Sequence, residues 1–137
     1  MEMLTFTVAQ KRNTSLSNKR VISQFVTEQL QKRNYYHCID VCQSIGEKNE
    51  QVRSYCQYQI GMVHFFLGEY QQAIDCYLLA CRQGEAIKVI EEDIWEAYQM
   101  LYKETNDKKH LVNYIESCPN GQYTKEAKKI LSIHYYE

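Results

Sequence analysis

One internal echo constrains this chain more than anything else in it. Residues 34 to 45, NYYHCIDVCQSI, overlay residues 69 to 80, EYQQAIDCYLLA, so that Tyr35 falls on Tyr70, Cys38 on Ala73, Ile39 on Ile74, Asp40 on Asp75, Cys42 on Tyr77 and Ile45 on Ala80. The offset is 35 residues. In each copy a small side chain, a branched aliphatic, and apolar residues four and seven places beyond the small one share one helix face. A period of this length means stacked helical units, each burying its apolar face against the next.

The stretch before the second copy sharpens the unit. QYQIGMVHFFL runs into GEYQQAIDCY, an Ile60-Gly61 step followed by Gly68, Tyr70 and the Ala73-Ile74 pair, which predicts two helices meeting at a tight turn. A third copy is carried by its first helix, WEAYQMLY, with Trp95, Tyr98 and Tyr102 at helical spacing. Leu111, Ile115 and Cys118 follow as counterparts of Ala73, Tyr77 and Ala80 at an offset of 38, so about one extra helical turn sits in the connection or the helix after Gly84.

These residues resemble the tetratricopeptide repeat, a helix-turn-helix unit with the pattern W-x2-L-G-x2-Y…A-x3-F. Ile60, Gly61, Gly68, Tyr70, Ala73, Tyr77 and Ala80 match it in the middle unit, and Trp95 and Tyr102 supply the aromatic pair of the third. Gln57 stands where the tryptophan would be, and Val26 and Gln99 replace the close-approach glycine. The resemblance implies an all-α, right-handed superhelical array of about three helix hairpins plus a C-terminal capping helix. Gly61 and Ala73 would let paired helices approach closely, and Gly68 would release the turn.

The expected organisation is an N-terminal arm over residues 1–14 and one helical domain over 15–137. Its units are 15–46, 50–82 and 86–118, with a capping helix at about 122–135. Ser15 or Ser17 can cap the first helix, which carries Ile22, Phe25, Val26 and Leu30 on one face. Further helices are expected at about 35–46, 50–67, 70–82, 86–104 and 108–117. TFTVAQ, residues 5 to 10, alternates apolar and polar residues as a strand does, or forms an extended arm. Pro119, Asn120 and Gly121 break the chain before the last helix, on which Tyr123, Ala127, Ile130, Leu131 and His134 share helical spacing.

Composition agrees with a folded helical domain. Of 137 residues 45% are apolar and 24% charged, with one Pro and five Gly, so there is enough core to fold and little to break helices. The opening MEMLTFTVAQKRN has no basic stretch leading into an apolar core of signal-peptide length, and no apolar run approaches the roughly 20 residues of a membrane span. We therefore expect a cytoplasmic protein with no membrane partner, and reduced thiols at Cys38, Cys42, Cys56, Cys76, Cys81 and Cys118.

Chemistry-bearing motifs are scarce. There is no glycine-rich phosphate loop, G-x-S-x-G, H-E-x-x-H or paired C-x-x-C. His37, Cys38 and Cys42 could form a thiolate or metal site, but both cysteines fall on packing positions of a repeat helix. His64 and His134 lie within apolar faces. We expect no catalytic residue, metal or cofactor; a thiol-dependent enzyme is the remote alternative.

Charge is uneven along the chain. Residues 1 to 34 carry six Lys or Arg against two acids, and residues 85 to 107 two against seven, within a net charge of −1. On the first helix the basic pairs Lys19-Arg20 and Lys32-Arg33 stand roughly 20 Å apart and form no stripe, so nucleic acid is not the expected partner.

The resemblance directs attention to the concave face, which the first helix of each hairpin lines. The outward residues it implies are Arg20, Ser23, Gln24, Thr27 and Gln31, then Tyr55, Tyr58, Gln59, Met62 and Phe65, then Asp93, Glu96, Ala97, Met100 and Lys103. Of these, Tyr55, Tyr58, Gln59, Met62, Phe65, Asp93, Glu96 and Met100 are the expected partner-binding set. Tyr, Phe and Met suit adaptable apolar recognition, although some of these rings could instead pack on a neighbouring helix. Tyr58, Gln59 and Met62 occupy the positions where some family members carry a carboxylate clamp of Lys and Asn. Glu91, Glu92, Asp93 and Glu96 either answer the dipole of the helix they open or form an acidic lip for a basic partner segment or a second copy. The expected role is a non-enzymatic protein or peptide interaction module. The alternative is a regulatory domain, since the tyrosine- and lysine-rich hairpins are also similar to those of peptide-responsive bacterial regulators.

Overall fold

Asn18 opens the first helix. Its Oδ1 accepts the backbone N–H of Arg20 at 2.9 Å and so caps α1 (Lys19–Gln31). The computed structural model describes residues 18–136. The arm at 1–14, with TFTVAQ, and the expected caps Ser15 and Ser17 lie outside the described residues, as does the side chain of His134. The described residues contain helices and no strand.

After α1 come α2 (Tyr35–Lys48), α3 (Arg53–Phe66), α4 (Tyr70–Arg82), α5 (Ile87–Thr105), α6 (Lys109–Ser117) and α7 (Thr124–Tyr136). Each packs on its neighbours in sequence, and α1 also reaches α3. The short connections make these neighbours antiparallel pairs. The expected start of α3 at residue 50 is instead a 3-10 turn, Glu50–Val52. Arg53 then begins the helix, its Nε donating to the Gly46 carbonyl at 3.0 Å, which satisfies an orphan acceptor at the end of α2. The extra turn of the third unit lies inside α5, which has 19 residues against 14 in α3.

The repeat is written into the backbone of the turns. Arg33 and Gly68, 35 residues apart, and Asn106, 38 further on, are left-handed at φ 62°, 79° and 56°. At the first two, Asn34 N–H donates to the Gln29 carbonyl and Glu69 N–H to the His64 carbonyl, both at 2.9 Å. This is the closing bond of a Schellman motif, and it ends the helix because a left-handed residue aims the next amide back at the last turn. Side chains brace the same two corners: Asn34 Nδ2 donates to Gln29 Oε1 at 3.1 Å, and His64 Nδ1 lies 2.8 Å from Glu69 Oε1.

The core divides between two clusters with the middle hairpin contributing to both. Ile22, Phe25, Val26, Cys38, Val41, Cys42 and Ile45 from α1 and α2 meet Cys56, Ile60 and Val63 of α3. Ala73, Ile74, Tyr77 and Ala80 of α4 meet Ile90, Ile94, Trp95, Ala97 and Tyr98 of α5, with Leu111, Tyr114 and Ala127 beyond them. Each large side chain buried in this way contributes about 1.5–3 kcal/mol. Gly61 marks the tightest approach: a Cβ there would stand 2.7 Å from the Tyr77 ring and 3.1 Å from Cys76 Cβ.

Candidate functional site

The candidate partner-binding face is built on α3 and α5, where helical spacing sends Tyr55, Tyr58, Met62 and Phe65 to one side of α3. All four are half-buried. Tyr55 packs toward the first cluster, with Lys19 Nζ 5.3 Å from its ring centroid, whereas Tyr58, Met62 and Phe65 pack against the second. The face therefore straddles the seam between two hairpins.

Hydrogen bonds fasten that seam. Tyr58 Oη donates to Asp93 Oδ2 at 2.7 Å, and Ser54 Oγ donates to Glu85 Oε2 at 3.1 Å. Burial, then the bond to Asp93 and its negative charge, hold the Tyr58 hydroxyl well above the ordinary phenol range. The Tyr58 ring also leans on Tyr55 and Tyr77, at 6.3 and 5.7 Å between centroids. Asp93 and Tyr58 are thus held in fixed positions.

Two of the expected outward positions turn inward. Gln59 is 4% exposed and Ala97 is fully buried. Gln59 follows Cys56 by three residues and precedes Val63 by four, and Ala97 stands likewise between Ile94 and Leu101, so both ride the buried stripe of their helix. Phe65 uses an edge of its ring on Tyr70, 5.1 Å away in its own hairpin. On α1, Arg20, Gln24, Thr27 and Gln31 are exposed and Ser23 is half-buried.

The dipole explanation of the acidic run also needs correcting. Helix α5 begins at Ile87 with no acid in its first turn, and Glu91, Glu92, Asp93 and Glu96 fall in later turns, where the helix-end field has faded. Glu91 is buried and accepts the Gln122 N–H and the Tyr114 hydroxyl, which anchors the loop before α7. Glu92 and Glu96 are exposed.

Glu96 and Met100 line a surface depression of about 330 Å³ together with Glu92, Trp95, Gln99, Lys103 and Tyr123. Trp95 stacks on Tyr123 with centroids 5.8 Å apart and ring planes 8° from parallel. Spacing along α5 predicts that Glu92, Glu96, Gln99 and Lys103 share a face, but the wall supplied by Tyr123 depends on how the loop before α7 folds. A second depression, about 200 Å³, lies between α2, α3 and the end of α4, lined by Cys42, Gly46, Arg53, Cys56 and Gln83 among others. Its Arg53 is engaged with the end of α2.

Five of the six thiols are held above the ordinary thiol range by their surroundings, and Cys38 is lowered. Cys38, Cys42, Cys56 and Cys118 are buried and Cys76 and Cys81 half-buried, all six free. Burial pushes Cys56 up to about 12 and Cys118 up to about 11. The Cys42 thiol donates to Cys38, and that bond, reinforced by burial, raises Cys42 well above the ordinary thiol range while it lowers Cys38. His37 packs edge-on to Phe25 at 6.4 Å. Among the described residues no group of three or more His, Cys, Asp or Glu side chains could hold a metal ion, and no helix is long and apolar enough to cross a membrane. His110 on α6 is buried with neither ring nitrogen bonded within the described protein.

Compared with family models, curated proteins and solved structures, the chain has no match.

Proposed function

We propose that this chain is a non-enzymatic, cytoplasmic interaction module of the tetratricopeptide type, a right-handed array of three hairpins and a cap that holds a protein or peptide segment against the first helices of its hairpins. The observation that supports this reading is the set of half-buried or exposed side chains of Tyr55, Tyr58 and Met62 on α3 and of Asp93, Glu96 and Met100 on α5. It is held in register by the Tyr58–Asp93 bond and ends in the depression beside Trp95. Half-buried aromatic rings offer large contact area with little rotamer entropy to lose, and methionine re-packs around different partners. The left-handed corners at Arg33, Gly68 and Asn106, spaced as the sequence repeat is spaced, support the repeat reading.

The test is a pull-down from cytoplasmic extract with the intact protein beside a Tyr58→Ala, Met62→Ala variant of matching circular dichroism. A partner retained by the first and lost by the second is the expected result. Equal capture by both would move the binding surface elsewhere.

A further inference from the structure

The depression between α5 and the start of α7 differs from the rest of the face. Glu92 and Glu96 lie one helical turn apart on its rim, exposed, about 6 Å from each other along α5. The stacked Trp95 and Tyr123 rings form one wall, and Met100 and Gln99 complete the lining. Lys103 stands at the other end, roughly 10 Å beyond Glu96. Two carboxylates beside aromatic rings and a thioether form the complement of a long aliphatic stem that ends in a cation.

We infer that this depression is a subsite for one Lys or Arg side chain of a partner peptide, with the cation seated between Glu92 and Glu96 and its stem along Tyr123 and Met100. This rests on the reading of α3 and α5 as the binding face and names the chemistry the face selects. Charge complementarity sets the occupant, since the carboxylates are at the end away from Lys103. An acidic side chain would meet two like charges there. The negative field reaches neighbouring groups: the Tyr123 hydroxyl is raised by burial and then by Glu92, Glu91 and Glu126, and Tyr77 is raised by burial and then by Asp93, Tyr58 and Glu96. The subsite thus inverts the carboxylate clamp that the sequence lacks.

The experiment is selection of phage-displayed random dodecapeptides on the full chain, followed by titration of the leading synthetic peptide. Binding is read from the fluorescence of Trp95, the single tryptophan. Enriched peptides should share a Lys or Arg. Replacing that residue by citrulline or norleucine should weaken binding about tenfold, as should Glu92→Gln with Glu96→Gln in the protein. Lys103→Gln should tighten binding, and low salt should strengthen the intact pair alone.

Peptides that depend on Tyr58 and Met62 but bind equally with citrulline would overturn the subsite and leave the binding face standing. If no peptide is enriched, both readings fall. A salt-sensitive dimer abolished by the two glutamine substitutions, without peptide enrichment, would overturn a foreign partner in favour of a second copy.

Discussion

The hydroxyl of Tyr58 donates to the carboxylate of Asp93 at 2.7 Å and so joins the first helices of two successive hairpins. Both residues are half-buried, so the bond is partly shielded from water. Tyr58→Phe keeps the ring contacts with Tyr55 and Tyr77 and removes only the donor. We expect a loss of about 1–2 kcal/mol, read from the urea midpoint at constant slope. Asp93→Asn retains an acceptor and should cost less. An unchanged midpoint in Tyr58→Phe would mean that solvent replaces the bond freely and that packing alone holds the seam.

Gly61 faces the Tyr77 ring at a distance no methyl group can share. Gly61→Ala gains up to about 1 kcal/mol of helix propensity yet should destabilise by a net 1–3 kcal/mol, because α3 and α4 must separate. Tyr77→Leu in the same chain should recover part of that loss, since the ring is the obstacle. A double-mutant cycle by thermal unfolding measures the coupling. Additive effects would place the strain elsewhere.

Arg33 adopts at φ 62° the conformation that Gly68 adopts at 79° in the equivalent corner. A side chain there costs about 1 kcal/mol relative to glycine. Arg33→Gly should therefore stabilise the chain by up to that amount, and Gly68→Ala should destabilise it by a similar amount although its Cβ would meet nothing within 4 Å. Chemical denaturation of the two variants decides this. Destabilisation by Arg33→Gly would show that the arginine side chain supports the corner.

Alkali should unfold this protein progressively. Burial holds Cys56 at about 12, Cys118 at about 11 and Tyr114 at about 12, each above its value in an unfolded chain. A raised folded value means that the unfolded state releases its proton first, so the stabilisation is complete below the unfolded value and declines as pH rises through the folded one. The loss should begin near pH 9 with the thiols and steepen above about pH 10 with Tyr114, Tyr58 and Tyr77, which are all held up chiefly by burial. Urea midpoints between pH 8 and 11 test the trend, and Tyr114→Phe should flatten its upper part. A flat profile would mean that these groups ionise without unfolding the chain.

Much of the architecture was legible because it is local. The Tyr35/Tyr70 and Cys38/Ala73 pairings gave both the helices and the offset of 35 at which the backbone repeats its left-handed corners. The candidate site was legible in part. The resemblance implied the outward positions, and Tyr58, Met62, Asp93, Glu96 and Met100 are half-buried or exposed, but Gln59 and Ala97 sit one step round their helices on the buried stripe, a boundary that depends on how widely a neighbouring helix covers them. Glu91 read as one more acid in a run, yet it is the buried acceptor that holds the Gln122 amide.

By itself, then, the sequence determined the helices and the turns between them, because periodicity and turn chemistry act over a few residues, while the close approach at Gly61 was what the resemblance implied. Only the tertiary structure decided that Tyr58 meets Asp93 and that Tyr123 closes a wall on Trp95. Those contacts join residues 35 and 28 positions apart, and they form only once the hairpins pack and the loop before α7 brings Tyr123 onto α5.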